Sequence, residues 1–538
     1  MKHSLLFLSL MLVCLSALPA QVFDEQFDAW PVKTRIGGVL VIANGLDDVA
    51  MIKRAIGVPK KDAVIRVFVH DRTPNEKLKA LDAVFDEVGR TTRYSLDKGF
   101  SEVLREALRG SDVFCWHSPP NLTPAEVAHA MANAKLLHDY LDKGGRLVLI
   151  GHLATFAGKL ADNGTNPLQA GFDLLPDAIL QSIGTIDHER MLQDLSDHPR
   201  TVGVSLMPDT ALVLSGRLVR VFGGGSAKFT LTSGKFHQVR TQTIRSFNQE
   251  NPASRALIDW TQWRRESIDR TLPQFPPAKP QAPVVENGTL LIVGGGRTPA
   301  GLMSRFITLA GGAQNAKLVY VPCSESEEVS AGQPMVSSWE AIGVKSATFI
   351  HTKDRNKANR DEEFLAALKD ATGVWFGGGR QWNFSDSYYG TKAHELMKDV
   401  LKRGGVIGGS SAGASIQARY LARATPIGNS QIMAPGYERG GLGFISGVAI
   451  DQHFTQRSRQ KDMTQLVKRY PQMLGIGLDE ATAIEVRKSI AKVVGNGRVF
   501  FYDTAAQVKD SQVAYVALPA GSVYDLAKRK VMIDRSER

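Results

Sequence analysis

The chain has 538 residues, 43% of them apolar and 22% charged, the balance of a soluble globular protein. That length exceeds one ordinary core, so two or more domains are expected. The formal charge of +11 would attract anionic partners, but Lys and Arg form no dense run interleaved with aromatics, and a nucleic-acid groove is not expected.

Lys2 and His3, an apolar run from Leu5 to Leu18 and the small residue Ala20 predict an export signal over residues 1–20. The run is too short to span a bilayer stably, so cleavage is expected, with a secreted or periplasmic location and no stable membrane insertion afterwards. Cleavage leaves Cys115 and Cys323, each at the end of an apolar run and read as a buried thiol. Two such cysteines build no disulfide framework, and neither they nor the histidines show metal-ligand spacing. No metal and no cofactor is expected.

In the first half, residues 37–42 and 64–69 read as strands and 101–109 as a helix. Residues 136–145 (LLHDYLDKGG) read as a helix closed by a Gly-Gly turn, and 146–151 as the next strand. Farther on, 212–221 and 228–239 alternate as strands do, and 260–268 is helical. Five prolines between Pro273 and Pro283 then favour extended backbone and mark a domain boundary. The expected organisation is an amino-terminal α/β domain over 21–270, a Pro-rich linker over 271–285 and a second domain over 286–538.

Beyond the linker, short apolar runs at 289–293, 316–322 and 373–376 end in Gly or Pro and alternate with helices at 362–371 and 393–402. That is the pattern of a doubly wound, mostly parallel sheet with its site at the carboxyl edge. Residues 396–405 (LMKDVLKRGG) followed by 406–409 echo the helix, turn and strand at 136–151, so the first domain is expected either to be a degenerate relative of the second or to share its α/β grammar without common descent. Where the second places Ser411, the first offers Gly151-His152-Leu153.

The strongest local signal is Gly409-Ser410-Ser411-Ala412-Gly413, between a short strand and a predicted helix at 414–424. Flanking glycines permit the sharp turn of a nucleophile elbow, and the helix N-terminus favours a developing anion. Ser411, bracketed by the glycines, is preferred to Ser410. A serine hydroxyl needs a base, and His453 is the only histidine downstream of it. Glu480 or the adjacent Asp479, at the end of another apolar run, would orient the imidazole. The order Ser, His, acid excludes an ordinary α/β-hydrolase, in which the histidine comes last.

Several blocks together resemble the cyanophycinases and the related aspartyl dipeptidases (peptidase E) from Gly288 to the C-terminus. They are Gly294-Gly295-Gly296, Gly377-Gly378-Gly379-Arg380-Gln381, the elbow through Ala414, and the segments 451–459 (DQHFTQRSR), 477–483 (GLDEATA) and 494–499 (VGNGRV). Spacings of 42 residues from Ser411 to His453 and 27 from His453 to Glu480 fit that family. The resemblance implies a fold like a class I glutamine amidotransferase domain and an exopeptidase that releases β-aspartyl-arginine from cyanophycin through an acyl-enzyme. It implies Ser411 as nucleophile, His453 as base and Glu480 as orienting acid. The N–H of Ala412, with that of Gly378 or Gly379, would form the oxyanion hole. Gln381, Asp451, Gln452, Arg457 and Arg459 would line the substrate site, and the partner would be a peptide or cyanophycin-like substrate, with a homodimer as the family's assembly. Two departures, Arg380 before Gln381 and Asp462 in place of an Arg, lie beside that site. They leave hydrolysis of other aspartyl or isoaspartyl peptides as an alternative, and a non-catalytic binding protein that kept the fold as another.

Overall fold

The computed structural model describes residues 30–536 apart from 32, 45–48, 58–61, 71, 74, 87–88, 96–99, 120, 165–166, 182–186, 246–256, 429–430 and 505–514. The predicted export signal lies outside the described residues. No helix among them is long and apolar enough to cross a membrane.

The amino-terminal half begins with β1 (Val39–Asn44), β2 (Ala63–Val69), β3 (Gly89–Ser95), β4 (Val113–His117) and β5 (Arg146–Ile150). It continues with β6 (Gly158–Asp162), β7 (Gln169–Ala170), β8 (Leu175–Gln181), β9 (Val202–Leu206) and β10 (Thr210–Ser215). It ends with β11 (Leu218–Gly223), β12 (Ser226–Leu231), β13 (Arg240–Arg245) and β14 (Ile258–Asp259). The carboxy-terminal half opens with β15 (Val285–Val293), β16 (Lys317–Val321), β17 (Ser346–Phe349), β18 (Gly373–Phe376) and β19 (Val406–Ser410). Then come β20 (Ala418–Tyr420), β21 (Ile445–Gln452), β22 (Leu474–Leu478), β23 (Thr482–Lys488) and β24 (Ile490–Gly495). β25 (Arg498–Tyr502), β26 (Tyr515–Pro519), β27 (Val523–Asp525) and β28 (Lys530–Ile533) complete it.

The two halves have one topology. The first large sheet runs β14-β11-β10-β1-β5-β4-β2-β3 and the second β17-β16-β18-β19-β15-β23-β24-β27-β28. Read from the same side, β3-β2-β4-β5-β1-β10-β11 matches β17-β16-β18-β19-β15-β23-β24 strand for strand. In each, the first five strands are parallel and the next two antiparallel. The smaller sheets agree as well, β13-β12-β9-β8-β6 against β26-β25-β22-β21-β20. The echoed segments at 136–151 and 396–409 occupy equivalent places, as the helices Ala134–Asp142 and Lys392–Lys402 feeding β5 and β19.

Burial on both faces explains the continuous apolar runs. Along β15, Leu290 and Ile292 join one core cluster while Leu291 and Val293 join another on the opposite face. In β1, Leu40 and Ile42 face away from Val41 and Ala43 in the same manner. A strand with period-two side chains and cover on both sides has no polar face to show. On the central strands the packing is tight enough to dictate residue size. A Cβ on Gly408 would stand 2.4 Å from the Trp375 ring, which is itself packed edge-on against Phe306.

Three expectations are corrected, one of them the strand over 228–239, which holds only to Leu231, the end of β12. Helix was expected over 414–424, but after Ala412–Ser415 the chain turns into β20, which pairs in parallel with β21. The Ala, Gln, Arg and Leu of that stretch favour a helix locally, and sheet pairing overrides the preference. The stretch 212–221 is a hairpin rather than one strand: Gly216, at φ 61°, turns β10 back into β11. Of the segment 271–285, read as a linker, residues 271–284 carry neither strand nor helix, and Val285 opens β15.

Replacing Trp375 by Ala should destabilise the carboxy-terminal half by about 3–5 kcal/mol, the range for a fully buried aromatic. Denaturant unfolding of the full-length protein, followed by far-UV circular dichroism, checks this.

Candidate active site

Three segments converge at the carboxyl end of β15. Its last residue, Val293, accepts a hydrogen bond at its carbonyl from the Ser411 N–H (3.0 Å). The next carbonyl, of Gly294, accepts from the His453 N–H at 2.7 Å, and that of Gly295 from the Ala481 N–H at 3.0 Å. One strand end thus seats the backbones of the elbow, of the histidine and of the residue after Glu480. The close approach explains the three glycines. A Cβ on Gly294 would lie 2.2 Å from the Asp479 carbonyl oxygen, and one on Gly295 would lie 2.4 Å from the His453 ring. On Gly296 it would meet the Glu480 side chain at 2.9 Å.

Ser411 joins β19 to the Ala412–Ser415 helix at φ 57°, ψ −114°, a strained backbone for a residue with a Cβ. The turn is so tight that a Cβ on Gly409 would stand 2.4 Å from the Gly413 carbonyl oxygen, and one on Gly413 2.2 Å from that of Phe376. Ser411 Oγ is 2.8 Å from His453 Nε2, and His453 Nδ1 is 2.5 Å from Glu480 Oε1. The carboxylate fixes the tautomer, with Nδ1–H donating to Glu480 and Nε2 left to accept from the serine hydroxyl. The choice between the adjacent acids falls to Glu480. Asp479 instead accepts from the Thr455 N–H and hydroxyl through Oδ1 and from the Arg498 N–H through Oδ2.

Burial lowers the His453 pKa, and the Glu480 hydrogen bond opposes it; the positive charges of Arg457 and Arg459 add to the lowering. The imidazole is therefore neutral at neutral pH, the form a general base needs. Gly378 faces the nucleophile: a Cβ on it would lie 3.6 Å from Ser411 Cβ. Among the described residues no acceptor engages the N–H of Gly378, Gly379 or Ala412. Gly379, at φ 147°, packs against Cys323, whose Sγ–H donates to the Arg380 carbonyl at 3.0 Å. Cys115 is buried and Cys323 half-buried, and both are free thiols.

The structure sorts the residues expected to line the substrate site. Gln381 is fully buried, and its amide donates to the carbonyls of Ala422 (2.9 Å) and Arg423 (2.5 Å). Arg423, at φ 55°, returns its guanidinium to the fully buried Asp451 and to Asp462. Arg459 donates to Asp451 Oδ1 at 2.8 Å and to the Gln452 carbonyl at 2.6 Å. Gln381, Asp451, Gln452 and Arg459 thus form an internal network around the end of β21, which stops one residue before His453, not a surface open to substrate. Arg457 alone of the set is exposed, its N–H bonded to the His453 carbonyl at 3.1 Å. The sequence reading missed Arg423, whose role rests on a left-handed backbone with no local signature.

Residues 290–494 match Peptidase family S51. The chain carries an S51 peptidase domain, and with it a serine-type peptidase. It is 28% identical over 223 residues to the cyanophycinase of Geminocystis herdmanii, covering 40% of this chain and 81% of that one. It is 26% identical over 244 residues to the cyanophycinase of Trichormus variabilis, covering 44% of this chain and 82% of the relative. Among solved structures, a peptidase from an acI-B1 Actinobacterium is 22% identical, with 44% of this chain and 97% of that one covered and a TM-score of 0.33. A peptidase E protein of Listeria monocytogenes, described as putative, is 16% identical, with 39% and 98% covered and a TM-score of 0.28. The S51 match takes in Ser411, His453 and Glu480 and starts after the whole of the amino-terminal half.

Two outcomes follow. Gly295→Ala should push the imidazole off its line between Ser411 and Glu480, lowering kcat by about a hundredfold or more, and should lower the melting temperature as well because an alanine at φ 105° is strained. Steady-state kinetics beside a thermal melt check it. The base is active when neutral, so activity should fall as pH drops through the His453 pKa. Arg457→Gln removes a charge that lowers that pKa, so the acid limb of kcat/KM should move to higher pH.

Proposed function

We propose that this is an exported serine exopeptidase that hydrolyses β-aspartyl-arginine linkages of cyanophycin through an acyl-enzyme. The single observation that carries the reading is the unbroken line from Ser411 Oγ to His453 Nε2 and from Nδ1 to Glu480 Oε1, at 2.8 and 2.5 Å. In the proposed reaction His453 takes the Ser411 proton as Oγ attacks the scissile carbonyl, and the N–H groups of Ala412 and Gly378 receive the developing oxyanion. His453 then returns the proton to the leaving amine, and water releases the acyl group by the same steps in reverse order of roles. The substrate choice draws on the two cyanophycinases among the relatives and on the charges around Ser411. Arg297, Arg380 and Arg457 stand exposed on the three loops that form the site, and Glu325 and Glu328 on the loop after β16, beside Gly379. A dipeptide unit with a free carboxylate and a guanidinium would find a partner for each. Export draws on the signal-like pattern of residues 1–20, a short positive start and an apolar run from Leu5 to Leu18.

A second reading, hydrolysis of other aspartyl or isoaspartyl peptides, is favoured by one observation. The charged groups on the loops of the triad itself are arginines, while the exposed acids lie a loop farther out, and Asp462 is taken up by Arg423. A carboxylate next to the scissile bond is served more directly than a guanidinium.

Purified protein incubated with insoluble cyanophycin should release β-aspartyl-arginine dipeptides, identified by mass spectrometry. Ser411→Ala should lower the rate by about a thousandfold or more. Products longer than dipeptides would defeat the exo mode. No release from cyanophycin, with cleavage of an aspartyl dipeptide panel that depends on Ser411, would select the second reading.

A further inference from the structure

The amino-terminal half has the topology of the catalytic half without its chemistry. At the step where β19 leads into Ser411, β5 leads into Gly151, at φ 82°, ψ −145°, followed by a four-residue helix as in the elbow. Asp209, at φ 53°, precedes β10 as Ala481, also at φ 53°, precedes β23, which puts Pro208 where the catalytic half has Glu480. Neither a nucleophile nor an orienting acid remains at those positions, and a copy kept without its chemistry needs another use.

Its contacts with the catalytic half supply one. The helix Trp382–Tyr388 begins immediately after the Gly377–Gln381 loop and is buried along its whole length. At its centre the fully buried Asp386 receives two guanidinium groups from the other half. Arg217, on the β10–β11 turn, donates from Nη1 to Asp386 Oδ2 at 2.6 Å and from Nη2 to the Tyr437 hydroxyl at 2.5 Å. Its guanidinium also lies 4.2 Å over the Trp382 ring and donates twice to Asp259. Arg265, on the helix Trp260–Asp269, reaches Asp386 Oδ1 at 3.1 Å and the Ser385 hydroxyl at 3.1 Å. It is fully buried between the rings of Trp30 (3.6 Å) and Tyr437 (4.4 Å). A third contact grips the neighbouring loop, where Arg35 Nη1 donates to the Glu325 carbonyl at 2.9 Å. Tyr437 also donates to Asp386, at 3.0 Å, so the carboxylate is satisfied only with both halves in place.

We propose that the amino-terminal half is a positioning module for catalysis: Arg217 and Arg265 fix Asp386 and its helix, and thereby hold the Gly378 N–H toward Ser411. The inference rests on the triad and oxyanion-hole reading above. Arg217 and Arg265 touch no substrate; they are positioning residues acting through the 382–388 helix. Arg265 lies buried between two aromatic rings, so Arg217, on a turn, is the position to vary.

The test uses the full chain with Arg217→Lys, Arg217→Gln, Asp386→Asn and the double variant Arg217→Gln/Asp386→Asn. Two rates are read for each: peptide hydrolysis, split into kcat and KM, and inactivation by a fluorophosphonate, which draws on the same oxyanion donors. Arg217→Gln should lower kcat about tenfold or more with KM within about twofold, and slow inactivation by a similar factor. The acid limb set by His453 should stay in place. Arg217→Lys, which keeps a positive charge beside the buried Asp259 and Asp386, should show a smaller loss in the same two rates, and the double variant should lose less than the product of the single losses. Unchanged kcat and inactivation rates in folded Arg217→Lys and Arg217→Gln, with only the melting temperature lowered, would overturn the proposal. A wild type that neither hydrolyses peptide nor reacts with the probe at Ser411 would instead defeat the triad reading, and this proposal with it.

Discussion

The carboxyl end of β15 is the constraint on which the site depends. Successive carbonyls of Val293, Gly294 and Gly295 accept from the N–H groups of Ser411, His453 and Ala481. These acceptors are successive, so the three segments cannot drift apart without breaking backbone hydrogen bonds. With the backbones seated, Ser411, His453 and Glu480 line up at 2.8 and 2.5 Å, so the proposed reaction moves its proton between groups already in place. Glycine at 294, 295 and 296 is the condition for that arrangement, because each Cβ would occupy space held by the histidine or acid segment.

Buried charge surrounds this template on two sides. Behind His453, Asp451 is shared by Arg423 and Arg459; on the helix after the Gly377–Gln381 loop, Asp386 is shared by Arg217 and Arg265. Burial works against the charge on Asp386, but Arg265 and Arg217 outweigh it and hold its pKa below the usual carboxylate range. Such networks are weak sources of stability, since desolvation cancels most of the attraction. What they provide is geometry, because a guanidinium fork and a carboxylate match in few orientations. Both networks join segments distant in sequence, and both end next to a group that the proposed reaction uses.

The legible parts of the sequence were those with local causes. Strands buried on two faces leave unbroken apolar runs, and a strained turn before a helix N-terminus leaves flanking glycines, so the central sheet and Ser411 could be read directly. His453 could be reached by elimination. The choice between Asp479 and Glu480 could not be made from composition, because it depends on which carboxylate the Thr455 and Arg498 N–H groups capture. Gln381, Asp451, Gln452 and Arg459 resemble substrate ligands in one dimension, yet their polar atoms turn inward to one another. The contact from Arg217 to Asp386 spans 169 residues and follows no periodicity in either segment.

The equal topology of the halves separates what makes the fold from what makes the site. The sheet of each half is held by alternating apolar faces, and these are as complete in β1, β4 and β5 as in β15, β18 and β19. Burial of such side chains contributes about 1.5–3 kcal/mol each, so the sheets stand whether or not a nucleophile sits at their edge. The chemistry depends on a handful of positions at strand ends, and exchanging Ser411 for a residue like Gly151 or Glu480 for one like Pro208 leaves every strand pairing intact. A site grafted on a fold in this way can be lost without loss of the fold. The amino-terminal half, without those residues, still places two guanidinium groups, of Arg217 and Arg265, on the buried carboxylate of Asp386 in the helix that follows the other half's Gly377–Gln381 loop.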